Sequence, residues 1–390
     1  MKTQQPFVPF LRANNDLDHL ESFYADAPFC RVSLDREKWI LKIKDKQKIW
    51  IDLALDGISQ APANPDYKAF TDKHGDLSVL NDPAFVKSPK RVAIETSICG
   101  FLDEANALQP YAISIPQLPH EDGTDSNKIN KVLFSIAHDW KSRTNSNARM
   151  ILPVIFTNQR QLNKKTDRNA KIAFTKGLLA KSSVDAVWVT DSSLEDQAGT
   201  GNFDKERFPG IIDFFKELKI ASNPSMVIAG PFWGVGLVLW ARGLVSHFAI
   251  GMGSTYRYYI AGGMANKPKA RIAIGPLRRW ACATPDLEVW LKRCLTILPI
   301  GTPEHREFSE LTKHFSALLS GDTAKRQVAR AYREWIDKIS TIPAAGRSVA
   351  LFQDLTAAFV TGKSLPDLPD ETGPARRPER VAEQLMLNCL

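Results

Sequence analysis

The chain carries no CxxC pair, no GxxxxGKS or GxxxxGKT phosphate loop, no HxH or HExxH metal motif, and no complete dinucleotide fingerprint. Its five cysteines (Cys30, Cys99, Cys282, Cys294 and Cys389) are odd in number and far apart, which supports neither a zinc ribbon nor a disulfide framework. His120 stands beside Glu121 and Asp122, but His19, His74, His138, His247, His305 and His314 are scattered, so a metal centre has little support. Gly199 and Gly201 are followed by Asp204 where a fingerprint needs its third glycine. No cofactor is identified by these patterns.

Long apolar runs are also missing. The stretch 234–244 is broken by Arg242 and falls well below the roughly 20 residues that span a bilayer. Residues 1–6 contain no apolar signal core. The expected setting is a reducing cytoplasm, without a membrane partner.

What is present is material for a large folded core: 44% hydrophobic residues against 24% charged ones, which excludes global disorder. Lys and Arg number 51 against 43 Asp and Glu, a net charge of +8 with a pI near 9.1. Two readings of that excess stand: a bias toward anionic ligands such as nucleotides or nucleic acid, or ordinary solubilising charge. No basic run is longer than a pair such as Lys164-Lys165.

Eight short apolar runs recur along the chain. They are Phe7-Val8-Pro9-Phe10-Leu11, Ile49-Trp50-Ile51-Asp52-Leu53, Tyr111-Ala112-Ile113-Ser114-Ile115 and Ile151-Leu152-Pro153-Val154-Ile155-Phe156, then Ala186-Val187-Trp188-Val189-Thr190, Met226-Val227-Ile228-Ala229, Phe248-Ala249-Ile250-Gly251 and Arg271-Ile272-Ala273-Ile274. They are nearly continuous in apolar character, as a sheet covered on both faces requires. Helical stretches separate most of them. Two have clean periodicity, one through Ile129, Val132, Leu133, Ile136 and Trp140, the other through Phe208, Ile211, Ile212, Phe215 and Leu218. Strands alternating with helices predict a parallel sheet, and eight units predict a closed (β/α)8 TIM-like barrel over residues 1–283.

Residues 26–47 read as an insertion or irregular hairpin, and residues 60–89 as a long loop of the kind that often forms a lid. Beyond Trp280, helices near 285–295, 304–320, 323–340 and 346–361 follow with no strand between them. The region 284–390 is therefore expected to be an all-helical extension, with a polar, mobile linker at 364–378 and a last helix at 379–387.

A barrel works at the carboxyl ends of its strands, so candidate residues are sought there. Asp52 and Asp191 end two of the runs. Facing each other across the mouth they would form an acid/base or nucleophile pair; separately, each would serve as a helix cap or loop acceptor. Gly251, Gly253, Ser254 and Thr255 have the small-residue composition that lets backbone amides approach a phosphate, with Arg278 or Arg279 as a clamp. Trp233, framed by Gly230, Pro231 and Gly234, offers a stacking surface for a base or sugar, or a packed plug. Tyr256 beside Arg257 adds a second aromatic and basic cluster.

Two functional readings follow. The first is a barrel-mouth enzyme acting on a phosphorylated, nucleotide-like or nucleic-acid substrate by glycosyl or phosphoester chemistry. The second is a non-catalytic barrel subunit whose helices and loops dock a protein or nucleic-acid partner in a larger assembly. Polar strand ends favour the first; the missing motifs favour the second.

Overall fold

A computed structural model of the protein describes residues 5–11, 16–53, 72, 75, 77–120, 125–156, 160–180, 184–191, 194–201, 206–222, 225–251 and 270–390. Eight parallel strands close into a barrel: β1 (Phe7–Phe10), β2 (Cys30–Ser33), β3 (Ile49–Asp52), β4 (Ala112–Ser114), β5 (Arg149–Phe156), β6 (Ala186–Asp191), β7 (Met226–Ala229) and β8 (His247–Gly251). Closure is made by β1 against β8, with Phe7 opposite Phe248 and Phe10 opposite Gly251. The expected (β/α)8 barrel with a helical C-terminal region is what the chain forms.

The membership of the barrel differs from the expected one in one strand. Residues 26–47 supply β2 and the helix Glu37–Ile43. The run 271–274 lies outside the barrel as β9 (Arg271–Ile274), antiparallel to β10 (Arg279–Cys282). Both differences have a physical cause. Arg31 interrupts the apolar run of β2, which disguises it. β9 puts Ile272 and Ile274 into the core of the C-terminal helices and Ala273 into the core around the barrel, so it is as apolar on both faces as a barrel strand.

Alternation along the strands divides the core in two. Val8, Phe10, Trp50, Ile151, Ile155, Trp188, Ile228 and Ala249 fill the lumen. The residues between them, such as Val32, Ile51, Val187 and Val189, pack outward against the helices. Phe10, Trp50 and Trp188 meet edge to face with centroids 5.2–5.4 Å apart, a geometry that adds about 0.5–1.5 kcal/mol per pair beyond area burial. The lumen is thus a packed core with an aromatic layer, not a channel.

The helix Trp233–Ala241 is buried along its whole length, enclosed by β8 and the C-terminal helices Arg347–Lys363 and Arg380–Leu387. Gly234 makes this possible: a Cβ there would stand 2.5 Å from Leu385 and 2.7 Å from Trp335. The segment 364–378 is not a free linker. Leu365, Leu368 and Ala375 are buried, and Leu368 N–H donates to the Arg376 carbonyl. Among the described residues no helix is long and apolar enough to cross a membrane.

Candidate functional site

The strongest polar feature of the lumen is an ion pair between Arg31 of β2 and Asp52 of β3. Asp52 follows Trp50 by two residues and so shares its inward face. Its residue is 1% exposed. The Arg31 guanidinium lies 5.2 Å from the Phe10 ring centre and 5.7 Å from that of Trp188, so the pair sits against the aromatic layer. Parallel register places Ser33 beside Asp52, again on the inward face. Trp50 Nε1 donates to Ser114 Oγ at 2.9 Å, and Trp188 Nε1 donates to the Gly230 carbonyl at 2.6 Å, which holds both indoles in place. Gly230 closes β7 at φ +96°, and a Cβ there would stand 2.7 Å from the Phe232 nitrogen.

Asp191 does not join Asp52. It follows Trp188 by three residues, so alternation turns it outward with Val187 and Val189, and Arg207 at the start of the helix Arg207–Ser222 binds it there. The expected carboxylate pair across the mouth is therefore not formed: the two aspartates lie on opposite sides of the barrel wall, each held by its own arginine.

The other candidates separate as well. Trp233 is 4% exposed and outside the lumen, stacked on Tyr332 at 4.3 Å and close to Trp280 at 4.7 Å, with its Nε1 donating to the Arg278 carbonyl at 2.9 Å. Arg278 makes a bidentate pair with Asp354 at 2.7 and 2.8 Å. Arg279 is fully buried and donates to the carbonyls of Thr200, Trp280, Ala375 and Arg377 at 2.8–3.2 Å; burial lowers its pKa to about 10. Arg279 thus ties the C-terminal region to Thr200 on the barrel side, and Arg278 is held by Asp354 within the C-terminal region, so both are engaged away from β8. Gly251 ends β8 at the mouth. Gly253, Ser254, Thr255 and Tyr256 lie outside the described residues.

Among the described residues the buried polar atoms without a hydrogen-bond partner include two in the C-terminal region, Trp280 Nε1 and Ser340 Oγ, but several lie at or just after the carboxyl ends of the strands. After β2 they are Ser33 Oγ and Asp35 Oδ1, after β4 His120 Nδ1, after β5 Gln161 Oε1 and Asn163 Oδ1, and after β6 Gln197 Oε1. His120 is stacked on Phe156 and edge-on to Phe174. Burial, reinforced by the charge of Lys171, pushes its pKa down to about 3, so the imidazole is neutral at pH 7. Among the described residues no group of three or more His, Cys, Asp or Glu side chains is placed to hold a metal ion.

Arg31, Ser33 and Asp35 were not among the sequence candidates, because β2 read as an insertion. One signal for them was available: the interval between β1 and β3 is long enough for another strand and helix. No protein-family model matches the chain, and no curated protein matches it.

Proposed function

We propose that the protein is a barrel-mouth enzyme acting on a nucleotide-like substrate by glycosyl chemistry, with Asp52 as its central carboxylate. The observation that carries this reading is the gathering of unpartnered buried polar atoms at the carboxyl ends of the strands. Such groups are costly, about 1–3 kcal/mol each, and are retained where a ligand completes them. That face is also where barrels of this fold work.

In this reading Asp52 stabilises the positive charge that develops at the sugar carbon as the bond to the leaving group breaks. Arg31 holds the carboxylate in position and the aromatic layer excludes water beneath it. Water adds to the sugar carbon; Asp35, at the neighbouring strand end, takes its proton and passes it to the departing base, and Ser33 offers a hydroxyl beside Asp52. Phosphoester chemistry has less support, since Arg278 and Arg279 are engaged elsewhere.

The test is turnover on a panel of nucleosides, nucleoside monophosphates and short oligonucleotides, read as release of the base. Asp52→Asn, like Asp191→Asn, leaves a buried arginine uncompensated and is expected to lower the melting temperature. In addition it is expected to lower turnover about 100-fold or more at temperatures where circular dichroism is native. Asp191→Asn is expected to lower the melting temperature and leave turnover in place. A wild-type chain inactive across the panel, with both variants losing only stability, would favour the second reading, a non-catalytic subunit.

A further inference from the structure

The amino end of the barrel, opposite the mouth, carries a concentration of positive charge that the reading above does not use. Lys42, Lys44, Lys46 and Lys48 alternate through seven residues leading into β3, and all four are exposed. Arg149, exposed at the first position of β5, joins them from two strands away. Lys48 Nζ and the Arg149 guanidinium lie 5.2 and 4.9 Å from the centre of the Tyr111 ring, which draws two cations to one point on the surface. Beside them opens a cleft of about 440 Å³, lined among others by Lys44, Lys46, Lys48, Gln109 and Tyr111. The acidic groups near it are few. Asp45 lies on its wall, Glu21 pairs with Lys46 at 2.9 Å, and Asp185 accepts from the Met150 N–H next to Arg149 at 2.8 Å. Lys42, Lys44, Lys48 and Arg149 take part in no ion pair among the described residues.

We propose that this face is a docking surface for single-stranded nucleic acid. The ammonium groups of Lys44, Lys46 and Lys48, which line one cleft, suit the repeating charge of a phosphodiester backbone, and they release its counterions on contact. The cleft adds a hydrogen-bonding group that a strand can use between its phosphates, the side-chain amide of Gln109. The surface lies at the other end of the barrel from Asp52, so it acts as a tether for a polymer and does not depend on chemistry at the mouth.

The experiment is fluorescence anisotropy of a labelled short oligothymidylate titrated with the full chain across a salt series. Lys44→Glu with Lys48→Glu is compared with Lys292→Glu with Lys313→Glu, which changes net charge equally on exposed positions of the C-terminal helices. The first pair is expected to weaken binding about tenfold or more near 50 mM salt and to reduce the salt slope by about 1.4, two lost phosphate contacts. The second pair is expected to change affinity by less than about twofold. Equal weakening by both pairs would show that net charge alone drives the association and would overturn the proposal. So would an unchanged affinity in the first pair, or loss of binding to phosphatidylserine vesicles with oligonucleotide binding kept.

Discussion

The mouth of the barrel and the seam that joins it to the C-terminal helices are built from the same residue types, yet they differ in how hydrogen-bonding capacity is used. At the seam Arg279 reaches four carbonyls, and Asp354 accepts from Arg278, Trp335 and Lys338. Burial alone would raise the Asp354 pKa, but the Arg278 and Lys338 cations outweigh it and leave the carboxyl below its usual range. The seam leaves the Trp280 Nε1 donor without a partner, whereas at the mouth Ser33, Asp35, His120 and Gln161 all keep buried atoms with none. A saturated polar network fixes one geometry and resists change; an unsaturated one keeps capacity for something else to bind. Arginine and tryptophan near a strand end therefore do not identify a site. Their partners do.

Three changes test that contrast. Arg279→Ala strands four carbonyls in the seam and is expected to cost about 3–5 kcal/mol, measured by denaturant unfolding. A loss below about 1 kcal/mol would mean that the seam does not depend on saturation.

His120 gives a pH-dependent test at the mouth. Its folded pKa, about 3, lies below the 6.5 of an unperturbed imidazole, so between these values the unfolded chain binds more protons. The stability contributed by neutral His120 is present above pH 6.5 and declines as pH falls toward 3, with a slope of up to about 1.4 kcal/mol per unit. The stability difference between wild type and His120→Gln should narrow accordingly on acidification. A difference independent of pH would show that His120 is accessible to protons in the folded state.

The smallest effect is expected from Ser33→Ala. Removing an unpartnered hydroxyl leaves no acceptor or donor behind, so stability should change by no more than about 0.5 kcal/mol and could rise. A loss near that of Arg279→Ala would erase the distinction between the two regions.

The contrast was only partly legible in the sequence. The C-terminal helices were well marked: the expected segments 285–295 and 323–340 correspond to Pro285–Leu295 and Gly321–Ser340, because each carries a local apolar stripe and Pro285 lies in the first turn of its helix. The strand β2 was hidden because its central residue, Arg31, is charged. A charge inside a barrel is readable only when its partner, Asp52, is known to lie on the next strand. Trp233 follows β7 and so reads as a mouth residue, but the helix it begins runs out under Tyr332 and Trp335, residues about a hundred positions away.

By itself the sequence determined the alternation of strands and helices, the parallel barrel class and the helical tail, since these rest on periodicities over a few residues. Tertiary structure alone decided which eight runs close the ring, on which side of the wall each aspartate stands, and which arginines are already occupied. The reason is physical. Apolar periodicity is a local property of the chain, whereas the pairing of a buried charge or donor depends on what a distant segment brings within about 3 Å of it.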